Sequence, residues 1–295
     1  MQPIFMASVF KSGTWLVRRI VTELTGLAWN EPQIEAGEMD HGDPALIDFK
    51  PGHFFSWHNE PTPAVRARLR AENAKVILVT RNAYDLALSM YRHFAHDIDS
   101  EIGRGAGQQG LFAELTRDQG LALTICGAAG PAFTWSGMGP HLRQMQAMLE
   151  LSAEHPSCVL SFERLAQDRG AEIRRLAEYL GITVDAERVA AIARASSFEA
   201  MQSDARQTGQ VSHFQEGKPG RHAEALSRHH AYMIRHLLRT FAPHLSRMAR
   251  ASGMPEIVRC LIELPALHSE KALLAPARPR ARTLTYRAPR PEEHP

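Results

Sequence analysis

Cysteine is scarce in this 295-residue chain, and the three present, Cys126, Cys158 and Cys260, are odd in number and share no metal-ligand spacing. That argues against a disulfide framework or a cysteine-built metal site and fits reduced thiols in a cytoplasmic protein. Net charge is almost absent: 34 Lys+Arg against 32 Asp+Glu leaves +2. No broad field therefore points to nucleic acid or an acidic membrane as partner, and basic residues that matter must act locally. Long apolar runs are missing. None approaches the roughly 20 residues that span a bilayer, and the opening MQPIFMASVF lacks the basic n-region of a signal peptide. No GxxxxGK[ST] occurs, which removes the Walker A phosphate loop, and there is no internal repeat. The acidic group Glu35, Glu38, Asp40, His41 and Asp43 lacks the defined spacing of a hard-cation site and reads as an exposed loop.

What is present is a 44% hydrophobic chain with strand and helix patterns in alternation. The apolar run Ile4 to Phe10 suits a buried parallel strand. After a polar, glycine-containing turn, Leu16, Ile20, Val21, Leu24 and Leu27 fall near one helical stripe, with Gly26 near its end. The same logic recurs at Val76 to Thr80, followed by Leu86, Met90 and Phe94 at helical spacing, and again at Val159 to Phe162, followed by a helix near Ala171 to Leu180 that Gly181 can end. Alternation of this kind predicts an α/β fold with a parallel sheet and ligands at the carboxyl ends of its strands. The stretch GRGAGQQG (103–110) has no strand before it and reads as a surface loop. The Pro/Arg-rich segment 263–295 lacks apolar periodicity and reads as a flexible tail behind a domain spanning 1–262.

Two strand exits carry chemistry. Lys11, Ser12, Gly13 and Thr14 set a cation, two hydroxyls and backbone N–H groups at a helix N-terminus, a site for an anion. Arg81 leaves the second strand and Ser89 follows about two helical turns later, so a guanidinium and a hydroxyl can grip one phosphate. Asp85 reads as a cap or brace of that helix.

Segments 8–16 (SVFKSGTWL) and 76–94 (VILVTRNAYDLALSMYRHF) resemble the 5′-phosphosulfate loop and the 3′-phosphate segment of cytosolic-type sulfotransferases. Segment 161–182 looks like the strand and helix where that family has Tyr-Glu-Asp, replaced here by Phe162-Glu163-Arg164, and Ser196 to Met201 resembles its Thr-Ser-Phe-Glu-Xaa-Met. The resemblance implies a P-loop-NTPase-like single domain with a central parallel sheet flanked by helices. It implies transfer of a sulfuryl group from 3′-phosphoadenosine 5′-phosphosulfate to a hydroxyl or amine of a small acceptor, leaving 3′-phosphoadenosine 5′-phosphate, with no metal. Lys11, Ser12, Gly13 and Thr14 would then hold the 5′-phosphosulfate, Arg81 and Ser89 the 3′-phosphate, and Phe162, Phe198 and Ser196 the nucleoside. Trp15 or Leu16 would cover the adenine, since the family's second Thr is absent. The family's Arg-Lys-Gly-x-x-Gly loop lacks its two basic residues at 215–220, which leaves Gly217, Lys218 or Arg221 for any contact there. His58 is the expected general base, with an imidazole pKa near 6.5 and His53 as competitor. The family's lysine two residues before that histidine is Ser56 here, which shifts charge neutralisation to Lys11. A P-loop kinase and a non-catalytic nucleotide-binding relative are the rival readings, and homodimerisation is left open.

Overall fold

A computed structural model describes residues 2–31, 43–96, 108–130, 133–208 and 219–257. Its strands are β1 (Ile4–Ser8), β2 (Ala28–Asn30), β3 (His53–Trp57), β4 (Lys75–Thr80), β5 (Ala128–Gly130), β6 (Phe133–Trp135) and β7 (Ser157–Ser161). Five of them form one parallel sheet in the order β2-β3-β1-β4-β7, and β5 and β6 pair antiparallel by themselves. β1 lies at the centre with no residue more than 1% exposed, as its unbroken apolar run requires. After β1 the chain builds β2 and β3 on one side, then crosses to β4 and β7 on the other. The carboxyl end of β1 is therefore a topological switch point, where α/β sheets open a crevice for ligands.

Period-two alternation divides the side chains between two faces. Ile4, Met6, Ile77, Val79 and Leu160 meet Val17, Ile20, Val21 and Leu24 of helix α1 (Thr14–Thr25), together with Ile173 and Leu176 of the helix Arg169–Leu180. Phe5, Phe55 and Trp57 share the other face, with ring centroids 6.1 Å apart for Phe5 and Phe55 and 5.7 Å for Phe55 and Trp57. Each large side chain so buried contributes about 1.5–3 kcal/mol, so packing on the sheet fixes α1 more firmly than its modest propensity. Gly26 ends α1 at φ 71°, its N–H donating to the Thr22 carbonyl at 2.8 Å.

Several expectations shift in detail. The opening strand stops at Ser8 because Val9 N–H turns to the Val79 carbonyl and Ser12 N–H to the Val9 carbonyl. The last sheet strand runs Ser157–Ser161, and Phe162 opens a short helix whose first turn is capped by the Ser161 hydroxyl accepting from Arg164 N–H. The loop read across 103–110 is corrected at its end: Gln108, Gln109 and Gly110 begin a helix, Gln108–Glu114. Asp43 caps a 3₁₀ turn by accepting from Ala45 N–H at 2.7 Å, while the other four members of its acidic group lie outside the described residues. So do residues 258–295, and with them the boundary expected at 262. Among the described residues no helix is long and apolar enough to cross a membrane.

Candidate active site

The carboxyl ends of β1, β3 and β4 open into a cleft lined by Lys11, Gly13, Thr14, Trp15, His58, Arg81, Ser89, Phe162, Ser196 and Phe198. These ten residues singled out from the sequence thus share one concavity, and Leu16 and Arg221 line it as well. Ser12 does not line it. Its side chain is fully buried, its hydroxyl donates to the Val79 carbonyl at 3.1 Å and its N–H is spent on Val9, so it braces the turn against β4. Gly217 and Lys218 lie outside the described residues.

The first turn is shaped by backbone conformations that side chains resist. Lys11 sits at φ 63° and Gly13 at φ 100°, in the left-handed region that glycine adopts freely. A Cβ on Gly13 would stand 2.9 Å from Cδ2 of Phe162, so glycine is required twice over there. Gly13 caps α1 without any side-chain hydrogen bond, which leaves a helix N-terminus facing the cleft with its positive dipole end. The Thr14 hydroxyl is 2.9 Å from the Ser8 hydroxyl.

The second exit is tied to the first. Arg81 Nη1 donates to the Lys11 carbonyl at 3.0 Å, and the guanidinium lies 4.2 Å over the Phe162 ring. Burial lowers the Arg81 pKa, with Asp85 and Glu163 opposing. Its Nε is buried without a hydrogen-bond partner, a donor held beside the cleft. The brace expected of Asp85 is corrected. Helix α2 (Pro63–Ala71) precedes β4, and helix α3 (Ala83–His96) follows it; α3 is capped by Asn82, whose side-chain oxygen accepts from Tyr84 N–H at 2.9 Å and Asp85 N–H at 3.4 Å. The Asp85 carboxylate instead accepts from Gly220 N–H at 2.7 Å and from His222 N–H and Nδ1 at 3.2 and 2.9 Å, fastening the chain where it re-enters after residue 218. Despite burial its pKa is lowered, through His222 and Gly220.

His58 follows β3 and sits under the first turn. Its Nδ1 lies 3.1 Å from the Ser8 carbonyl and 3.3 Å from the Ser8 hydroxyl. A carbonyl can only accept, so Nδ1 carries the proton and Nε2 keeps a lone pair. Gln144 Nε2 donates to the same Ser8 carbonyl at 3.1 Å and to the Asn59 carbonyl at 3.2 Å, fixing both flanks of the histidine. The ordinary imidazole pKa is displaced: burial first, and the charge of Arg18 second, push His58 down to about 4. The neutral form therefore persists across the neutral range and is lost only as pH falls through about 4. His53, the competitor, is exposed, turned to the Pro51 carbonyl at 2.9 Å and absent from the cleft.

Ser196 is fully buried and its hydroxyl donates to the Ile192 carbonyl at 2.8 Å, so it shapes the cleft wall. Trp15 and Leu16 both line the cleft. Sequence reading missed Arg92 and Arg169 as lining cations. Arg92 stands three residues after Ser89 and so on the same helical face, a signal that was there to be used; Arg169 follows a helix break and had none. Phe112 and Trp135 pack on Phe94, at 5.9 and 4.8 Å between centroids, and do not line this cleft. The side chain of Phe133 lies outside the described residues.

The family model of the sulfotransferase domain matches residues 2–248. The chain belongs to this family. Bovine sulfotransferase 1A1 is 26% identical over 144 residues, which cover 49% of this chain and 43% of that relative, so the match spans less than half the relative's length. Among solved structures, mouse sulfotransferase SULT7A1 complexed with PAP aligns with a TM-score of 0.62 at 16% identity, covering 85% of this chain and 88% of the other. Retinol dehydratase in complex with androsterone and inactive cofactor PAP aligns with a TM-score of 0.51 at 14% identity, covering 81% and 80%. These two likenesses establish the shared fold.

Proposed function

We propose that this sulfotransferase-family protein transfers a sulfuryl group from 3′-phosphoadenosine 5′-phosphosulfate to a hydroxyl or amine of a small acceptor. The observation that carries the reading is that one cleft holds an open helix N-terminus, an arginine with a buried unpartnered Nε, and a neutral imidazole with Nε2 unprotonated. The first two suit a ligand bearing phosphate groups at two points, and the third suits removal of a proton. Lys11, Thr14 and the N–H groups of the first turn would hold the 5′-phosphosulfate, Arg81 and Ser89 the 3′-phosphate, and Phe162 and Phe198 the nucleoside, with Trp15 or Leu16 over the base. The donor supplies an activated sulfuryl group in line with its 5′-phosphate. His58 Nε2 accepts the acceptor's proton as the new bond to sulfur forms, while Ser8 holds Nδ1–H. Lys11 stands where negative charge grows as the bond to the bisphosphate breaks.

The test pairs binding with turnover. Adenosine 3′,5′-bisphosphate should raise the melting temperature, ATP with Mg²⁺ should do so far less, and His58→Ala should keep the bisphosphate shift while turnover falls by about 10²–10⁴. Equal shifts for the two nucleotides, or full turnover in His58→Ala, would overturn the reading.

A further inference from the structure

Four arginines among the described residues bury side-chain nitrogens that find no hydrogen-bond partner: Arg19, Arg81, Arg169 and Arg235. Three have an evident counterpart. Arg19 has the Glu23 carboxylate at 2.8 Å, while Arg81 and Arg169 line the cleft. Arg235, on the helix Arg228–Phe241, is the remainder. Its Nε and Nη2 are both buried without a partner. Neither it nor Arg239, one helical turn further on, pairs with a carboxylate among the described residues.

Both arginines line a cavity of about 270 Å³, together with Leu238, Ala242, Pro243 and Ser246, and it shares no residue with the cleft. Positions 235, 238, 239 and 242 fall on one helical face, and Ser246 comes from the next helix, Leu245–Ala251. Two cations four residues apart on a helix repel one another. Elsewhere this chain sets carboxylates against its arginines: Arg66 meets Glu150 and Glu154, Arg143 meets Glu60, and Arg164 meets Glu256. Here the sequence offers none. Between Glu224 and Glu256 there is no Asp or Glu, against five arginines, in a chain whose net charge is only +2. Buried N–H donors of a charged group without an acceptor are unfavourable in a finished fold. An anion seated against Arg235 supplies both the missing charge and the acceptor oxygens.

We propose that this corner between two helices is a second anion site, which takes a small phosphate monoester. The phosphate sits against Arg235, Arg239 and the Ser246 hydroxyl, and the apolar part of the ester lies on Leu238, Ala242 and Pro243. Two guanidiniums match a group with a charge near −2 and three acceptor oxygens, whereas a carboxylate leaves one cation unbalanced. The cavity is several times the ~30 Å³ that one water occupies, so a ring fits beside the phosphate. The site stands apart from the transfer reading, since none of its residues belongs to that machinery.

The test is calorimetric titration of phenyl phosphate into the full chain at low ionic strength, where exposed charges are least screened. The natural protein should bind it saturably, and Arg235→Gln and Arg239→Gln should each weaken binding about tenfold or more. Lys11→Ala, which alters the cleft, should leave it within about threefold. Phenylacetate, with a single charge, should bind about tenfold more weakly than phenyl phosphate. Should Arg235→Gln fail to fold, Arg239→Gln decides, because Arg239 is exposed. Phenyl phosphate binding that the arginine variants leave unchanged, that disappears in Lys11→Ala, that phenylacetate equals, or that does not saturate below about 10 mM overturns the proposal. Failure of the transfer reading would appear separately, as failure to bind adenosine 3′,5′-bisphosphate.

Discussion

The two strand exits look alike in sequence and solve the same problem in opposite ways. After β1 the chain gives up side-chain capping: Gly13 closes the turn at φ 100° and caps α1 with no side-chain hydrogen bond. After β4 the helix α3 has its first amides taken by the Asn82 side chain, and what remains for a ligand is the Arg81 guanidinium and the Ser89 hydroxyl. On the proposed function, one anion site would be built from backbone and the other from side chains. The difference teaches that a strand, a polar turn and a helix do not by themselves make a phosphate loop. Whether the helix N-terminus is left uncapped decides it.

Changes at the backbone site should be the more damaging. Gly13→Ala places a Cβ 2.9 Å from the Phe162 ring in a left-handed conformation, at a cost of about 1–3 kcal/mol for the strain alone. The turn must move to relieve it, and the amides move with it. Calorimetric titration should show adenosine 3′,5′-bisphosphate binding weakened about 100-fold or lost. Binding within threefold of the natural protein would mean that the amides do not hold the ligand.

At the side-chain site the loss should be selective. Arg81→Ala removes one charge-assisted contact, worth about 1.5–3 kcal/mol, so bisphosphate affinity should fall about 10–100-fold. Affinity for adenosine 5′-monophosphate, which has no 3′-phosphate, should change far less. A parallel loss for both nucleotides would show that Arg81 serves the turn, through its bond to the Lys11 carbonyl, rather than the ligand.

Asn82→Ala separates cap from site. It uncaps α3 and removes the Nδ2 bond to the Glu256 carbonyl at 2.7 Å, so thermal unfolding should show a loss of about 1 kcal/mol or somewhat more. Bisphosphate affinity should stay within about threefold. If it falls as far as in Arg81→Ala, the contrast between the two exits collapses.

How much of this could be read from residues alone follows the same division. The sheet strands at Ile4, Val76 and Val159 were legible, because their buried cores are short apolar runs and the turns after them carry glycine or polar caps. The cleft was legible where function is local in sequence, as with Lys11 to Trp15 or Arg81 and Ser89. What failed was everything that depends on a partner far along the chain. Ser12 belongs to the turn, yet its hydroxyl faces Val79, 67 residues away. Asp85 sits where a helix brace belongs, but its partners are Gly220 and His222. The ordinary imidazole pKa expected of His58 ignored burial and Arg18, which come from two other elements. Composition and spacing carry no information about such pairings.

Glu163 gives the finest measure of how the two exits are joined. It lies against the second exit, whose Arg81 bonds the first: its Oε1 accepts from Asn82 N–H at 2.9 Å, while Oε2 is buried without a partner. Burial pushes its pKa up to about 6, against the opposing pull of the Asn82 N–H and of Arg81. Because the folded value is raised above the ordinary one, the protonated carboxyl is the form the fold prefers. Its stabilising contribution is whole below about pH 4.5 and is lost as pH rises through about 6. Glu163→Gln imitates the protonated form and escapes that loss. Its unfolding free energy relative to the natural protein should therefore be flat below pH 4.5, climb between 4.5 and 6, and level off above, with a total rise of at most about 2 kcal/mol. Denaturant unfolding at pH 4.5, 5.5 and 7.5 measures it. A relative stability that falls over this interval would mean that the ionised carboxylate is the counter-ion Arg81 requires, and the side-chain site would then be a charge pair whose guanidinium is already spoken for before any phosphate arrives.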